Sequence, residues 1–197
     1  LDLSSLAVAR AIAEHLARET VVTPDQEHLR RSALAAVPRA DWRPGGGRTY
    51  SDVLASAITL GRAGPLAAIA AALAATSGLP WQYHYTPRPG EADLGDRIGF
   101  AELIGPDGPL IAPACRVGFT LMAPDTVYPM HRHPAIELYL VIAGHAEWAT
   151  PAGGRILPPG EGVLHATNLP HAMRTFGEPL LALYGWHGDI DTPPTYL

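Results

Sequence analysis

From about Leu79 onward, short runs rich in Val, Ile, Leu, Tyr and Phe alternate with turns built from proline, glycine and aspartate. The runs are Gly99–Leu103, Cys115–Ala123, Glu137–Ala143, His145–Thr150, Gly162–Thr167, His171–Phe176 and Leu180–Trp186. Pro106-Asp107-Gly108, Pro151-Ala152-Gly153-Gly154 and Pro158-Pro159-Gly160 are the turns between some of them. Many short strands at regular spacing restrict this half to an all-β sandwich or barrel. No sequence repeat of fixed period is evident.

Residues 1 to about 78 carry a different period. Leu6, Ala9, Ile12 and Leu16 recur at helical spacing within Ser4–Glu19. Thr23-Pro24-Asp25-Gln26 starts a second helix: Thr23 caps, Pro24 fits the first turn, and Gln26 reaches back as in a capping box. Leu29, Ala33 and Val37 then line one face. Gly45-Gly46-Gly47 is a flexible break. A third helix runs from about Ser51 to Leu60, and a fourth follows Gly64-Pro65, with Leu66, Ile69 and Leu73 on one stripe and Gly78 as its stop. The chain therefore divides into a helical region, 1–78, and a β region, 79–197. His15 and His28 sit among polar neighbours and read as solvated surface residues.

The 197 residues suffice for a buried core. Fourteen Lys and Arg stand against 19 Asp and Glu, a net charge of −5 with no basic run, which disfavours a nucleic-acid partner and tolerates a cationic small molecule. Cys115 is the only cysteine, so a disulfide framework and a cysteine-based zinc cluster are excluded. It reads as a small buried hydrophobe. No basic-then-apolar leader pattern is visible, and the longest apolar stretch, around Pro65 to Ala75, is too short and alanine-rich to cross a bilayer. The expectation is a cytoplasmic protein without a membrane partner; its oligomeric state stays open.

The segment that carries chemistry is Tyr128-Pro129-Met130-His131-Arg132-His133-Pro134-Ala135-Ile136-Glu137-Leu138-Tyr139. On extended chain alternate side chains share a face. His131, His133, Glu137 and Tyr139 are all odd-numbered, so strand segments in register aim them inward, with Leu138 and Leu140 facing the other way. Two imidazoles and a carboxylate suit a divalent or trivalent transition metal: Zn, Fe, Mn, Co or Ni. Arg132 reads as a solvated strand-edge charge.

The pattern His131-x-His133-x3-Glu137-x6-Gly144 resembles the first motif of the cupin superfamily, apart from the glycine usually found upstream. In that family a later hairpin supplies one more histidine, through Gly-x5-Pro-x-Gly-x2-His-x3-Asn. Two registers compete. One uses Gly154, Gly160, Gly162 and His165; the other uses Gly160, Ala166, Asn168 and His171. The second is preferred, because Asn168 tolerates the left-handed turn that glycine would take. His165 then falls in mid-strand as a pocket wall or core residue. The resemblance covers residues 99 to 188. It implies a mostly β fold, a double-stranded β-helix or jelly-roll barrel with an N-terminal α-helical region, and a metal inside the barrel mouth.

Tyr128, Tyr139 and Pro170-His171-Ala172-Met173-Arg174 narrow the resemblance to the dimethylsulfoniopropionate (DMSP) lyases of marine bacteria. Those of the Q type also carry a helical part before a single cupin. The resemblance implies that His133, Glu137, Tyr139 and His171 bind the metal, and that His131 and Tyr128 complete the pocket. It further implies β-elimination of the zwitterion DMSP to dimethyl sulfide and acrylate. The metal would take the substrate carboxylate, and a tyrosine, Tyr139 ahead of Tyr128, would act as base. The sulfonium needs aromatic faces. Candidates are Trp81, Tyr83, Tyr85, Trp148, Tyr184 and Trp186, with barrel core the plainer role for most of them and Trp186 retained as a substrate contact. His84, His145 and His187 read as surface or core. Another cupin metalloenzyme, such as a dioxygenase on a small acid or thiol, and a non-enzymatic ligand-binding cupin are the alternatives.

Overall fold

A computed structural model describes residues 3–18, 23–43, 47–76, 79–86 and 94–197. Four helices come first: α1 (Leu3–Leu16), α2 (Pro24–Ala35), α3 (Ser51–Arg62) and α4 (Ala67–Ala74). The expected helix end at Glu19, the break at Gly45-Gly46 and the stop at Gly78 lie outside the described residues. At α2 the capping box forms as expected. Gln26 N–H donates to Thr23 Oγ1, and Thr23 N–H donates back to the Gln26 side chain.

The strands are β1 (Val37–Pro38), β2 (Ile98–Ile104), β3 (Leu110–Ile111), β4 (Cys115–Met122), β5 (Val127–Arg132), β6 (Ile136–Ala143), β7 (Ala146–Thr150), β8 (Gly153–Leu157), β9 (Gly162–His165), β10 (His171–Thr175), β11 (Leu180–His187) and β12 (Thr195–Tyr196). They form a seven-stranded sheet, β1-β3-β2-β4-β11-β6-β9, and a five-stranded sheet, β12-β5-β10-β7-β8. This mostly β architecture, with helices at the N-terminal end, is the cupin arrangement. Gly144, at φ +78°, closes the β6–β7 hairpin, where a Cβ would stand 2.0 Å from the Pro179 carbonyl oxygen.

The alternation of the strands sorts two cores. On the outer face of the larger sheet, Val117, Phe119, Leu121, Leu140, Ile142, Leu181 and Leu183 pack under the helices, against Val8, Ile12, Leu16, Leu29, Leu66 and Ile69. Leu138 and Leu140 face this layer, as their parity requires. On the inner face Ile98, Met122, Tyr139, Val141 and Ala182 meet Tyr128, Trp148, Leu157 and Met173. Cys115 is fully buried. No helix among the described residues is long and apolar enough to cross a membrane.

Several expectations need correction. The run expected to reach Thr167 ends at His165, so His165 closes β9 instead of lying in mid-strand. The Pro151–Gly154 turn is shorter, because Gly153 and Gly154 already pair in β8. His15 and His28 are half-buried, not solvated: the Nε2 atoms of both are shielded, and the His28 ring lies 4.9 Å from that of His187.

Candidate metal centre

The site forms where the two sheets face each other. His131 on β5 is the register partner of His171 on β10. Across the interior, Glu137 on β6 pairs with His165 on β9 and with Trp186 on β11. His133 follows the end of β5, in the turn that crosses from one sheet to the other. The ring centroids of His133 and His171 are 5.1 Å apart, and those of His131 and His171 4.1 Å.

Three of these imidazoles have one nitrogen committed to the backbone. Nδ1 of His131 lies 2.8 Å from the Pro129 carbonyl, that of His133 3.0 Å from Ala135, and that of His171 2.9 Å from Leu169. A carbonyl only accepts, so each Nδ1 carries the hydrogen and each neutral ring presents its Nε2 lone pair to the interior. His133 Nε2 then faces Glu137 Oε2 at 2.9 Å, and His171 Nε2 faces the same oxygen at 3.3 Å. His171 Nε2 is buried without a hydrogen-bond partner among the described residues, and so is His165 Nδ1, which stands 3.6 Å from Oε2. Lone pairs converging on a carboxylate oxygen need a shared cation between them. The donor atoms of His131, His133 and His171 lie within 4.8 Å of one another, as do those of Glu137, His165 and His171. This donor set fits a transition metal.

The electrostatics agree. Burial opposes ionisation of Glu137, but the surrounding imidazoles of His133, His165 and His171 outweigh it and hold the carboxyl well below its usual range. Burial, then the neighbouring His171, pushes His131 down to about 3 and keeps it neutral. Burial, then the Glu137 charge, pushes the Tyr139 phenol well above its usual value. Tyr128 is raised by burial and by Tyr85 and Tyr139; its ring stacks on His131 at 4.0 Å, and its hydroxyl shares a hydrogen bond with that of Tyr85.

The centre lies at the inner end of a cavity of about 540 Å³, lined there by Tyr128, His131, Glu137, Tyr139, Tyr184 and Trp186. Sequence reasoning missed a further part of the lining, where Glu102 and Asp107 both pair with Arg116 at 2.5 and 2.7 Å. Of the aromatic candidates, Tyr85 lines the wall, and so does His84, which reads from sequence as surface or core. Arg116 enters the site as the β4 register partner of Trp186, a neighbour that only the strand order sets. Trp81 packs with the helices and Trp148 in the inner core, away from the cavity lining. Arg132 is exposed, as expected. His145 pairs with Glu178 at the surface, and His187 with Asp25. Asn168 does adopt the left-handed conformation, φ 58°, within the turn that delivers His171.

Fold and donor set together define a cupin with a buried histidine–carboxylate centre. The DMSP lyase family profile matches residues 23–182, and the chain belongs to that family. DMSP lyase DddQ of Ruegeria pomeroyi is 37% identical over 123 residues, covering 62% of this chain and 61% of that protein's length. The putative DMSP lyase DddL of Cereibacter sphaeroides is 33% identical over 165 residues, covering 80% of this chain and 69% of that one. Among solved structures, one reported with the DMSP lyases RdDddP and RnDddQII superposes with a TM-score of 0.75 at 25% identity, covering 99% of this chain and 98% of its own. The crystal structure of DddQ from Ruegeria pomeroyi DSS-3 gives 0.71 at 27% identity, covering 100% and 97%.

Proposed function

We propose that this chain is a metal-dependent carbon–sulfur lyase that converts DMSP to dimethyl sulfide and acrylate. The observation that carries the reading is the convergence of backbone-anchored imidazoles on Glu137 Oε2 at the inner end of a cavity that also holds Tyr139. Membership of the DMSP lyase family supports it.

His133, Glu137 and His171 would hold the metal together with Tyr139, and His131 and Tyr128 would close the pocket around it. Zn, Fe, Mn, Co and Ni all accept these donors. A bound ion supplies Lewis acidity, taking the substrate carboxylate and favouring ionisation of a neighbouring phenol.

The residues then do the rest. Tyr139 accepts the proton from the carbon next to the carboxylate. The electron pair of that C–H bond becomes the acrylate double bond, and the C–S pair leaves on sulfur. Dimethyl sulfide departs neutral, so no acid is needed. The sulfonium end lies against the faces of Tyr184 and Trp186, on the strand next to β6, each contact contributing about 1–2 kcal/mol when desolvated. Glu102 and Asp107 add two carboxylates against one guanidinium to the cavity lining beside Trp186, which favours a cation over an anion there.

The test is incubation of purified, metal-loaded protein with DMSP under anaerobic conditions, with headspace dimethyl sulfide and dissolved acrylate measured together. Equal amounts of both are expected. A filled metal site with neither product would remove the lyase reading, and a requirement for oxygen would move the protein to the dioxygenase class.

A further inference from the structure

Glu137 has two oxygens, and the structure gives them different surroundings. Oε2 faces His133 Nε2 at 2.9 Å, His171 Nε2 at 3.3 Å and His165 Nδ1 at 3.6 Å. Oε1 accepts a hydrogen bond of 2.6 Å from the indole Nε1–H of Trp186. Trp186 reaches it because β11 pairs with β6 in a register that sets Trp186 directly opposite Glu137. The same indole lies 4.3 Å from the His133 ring at an interplanar angle of 31°. One side chain therefore touches two of the proposed ligands, one through its edge and one through its face.

We infer that Trp186 is a positioning residue of the metal centre: its N–H ties up Glu137 Oε1, leaving Oε2 as the single oxygen turned toward the ion. The inference rests on the metal-site reading given above. The physical basis is that a carboxylate on a two-carbon stem can swing and take an ion with one oxygen or both. An indole N–H is a donor only and carries no charge. It fixes the carboxylate's rotation without adding a cation that would compete with the metal. Its bond to an ionised oxygen is short and directional, as charge-assisted bonds are. Partners of this kind orient ligands, and their loss typically weakens metal affinity about 10–100-fold.

This role is separable from a substrate contact, because the two use different parts of the ring. A sulfonium needs the aromatic face, whereas Glu137 uses the N–H. Trp186→Phe keeps a face and loses the donor. Replacement of Trp186 by benzothienylalanine keeps size and shape as well and removes only the N–H, which guards against a packing defect. Two properties are read with Co(II) as the probe metal: affinity, by competition with a chelator, and the visible absorption spectrum. At saturating Co(II), affinity for the unreactive zwitterion 3-(trimethylammonio)propionate is read by calorimetry.

Both variants are expected to bind Co(II) about 10–100-fold more weakly and to show a changed visible spectrum, as the freed carboxylate adds its second oxygen. Zwitterion affinity at saturating metal should stay within about threefold for the benzothienylalanine variant, which keeps the whole face that the sulfonium contacts, and fall further for Trp186→Phe, whose ring is smaller. Unchanged Co(II) affinity and spectrum, with weakened zwitterion binding, would overturn the inference and leave Trp186 as a pocket wall. Wild-type protein that takes up no Co(II) would overturn the metal-site reading itself, and the inference with it.

Discussion

Tyr139 is sealed at 2% exposure beside an ionised carboxylate, and both facts hold its proton in place. Such a phenol becomes a base only when positive charge is brought up to it, which is what the neighbouring donor cluster is built to do. Tyr128 is a different case, since its hydroxyl is already bonded to that of Tyr85. Tyr139→Phe should lower turnover of DMSP about 10²–10⁴-fold while circular dichroism and melting temperature stay near wild type. Tyr128→Phe should cost less. Steady-state rates of the two variants check this, and the reverse ranking would move the base to Tyr128. The pairing of Tyr128 with His131 shows a limit of reading parity from sequence. One number is even and the other odd, so a regular strand would turn them to opposite faces. The β5–β10 register slips by one residue between His131↔His171 and Tyr128↔Met173, and this bulge brings both rings to the cavity.

Helix α2 was legible because its signals are local. The Thr23–Gln26 capping box and Pro24 need only their own neighbours. The helix also carries Glu27, held by hydrogen bonds from Arg30 and Arg31 at about 2 instead of its ordinary 4.5. A depressed carboxyl stabilises the fold fully above its unfolded value and loses that contribution as pH falls through the folded one. Glu27→Gln should therefore lower the melting temperature slightly at pH 6, and the difference should shrink as pH falls below about 4.5 toward 2. Thermal melts of both proteins across that range check it. The helix docks through Leu29, which is 1% exposed and sits over Gly185, where a Cβ would meet its Cδ1 at 2.3 Å. Leu29→Ala should cost about 2–5 kcal/mol in urea unfolding. Strands were legible where apolar runs were long. β1, β3 and β12 have two residues each, and β8 opens on two glycines, so only pairing with distant chain creates them.

Across the molecule, one sheet does two jobs. Its outer face joins the helices in a shared apolar layer, and its inner face holds the centre and the cavity. That division explains which parts of the site could be read in advance. Five of its side chains, Tyr128, His131, His133, Glu137 and Tyr139, come from one stretch of twelve residues, and their spacing was visible. Glu102, Asp107 and Arg116 come from β2, the turn after it and the start of β4, and no local pattern links them to the histidines. Only the strand order sets Arg116 beside Trp186, and Trp186 beside Glu137. The most direct measurement is a titration of a divalent metal into chelator-treated protein, with bound metal and acrylate release from DMSP followed on the same samples. Release should be absent without metal and rise in proportion to occupancy, reaching a plateau at one ion per chain. Acrylate formed by metal-free protein, or a filled site that forms none, would contradict it.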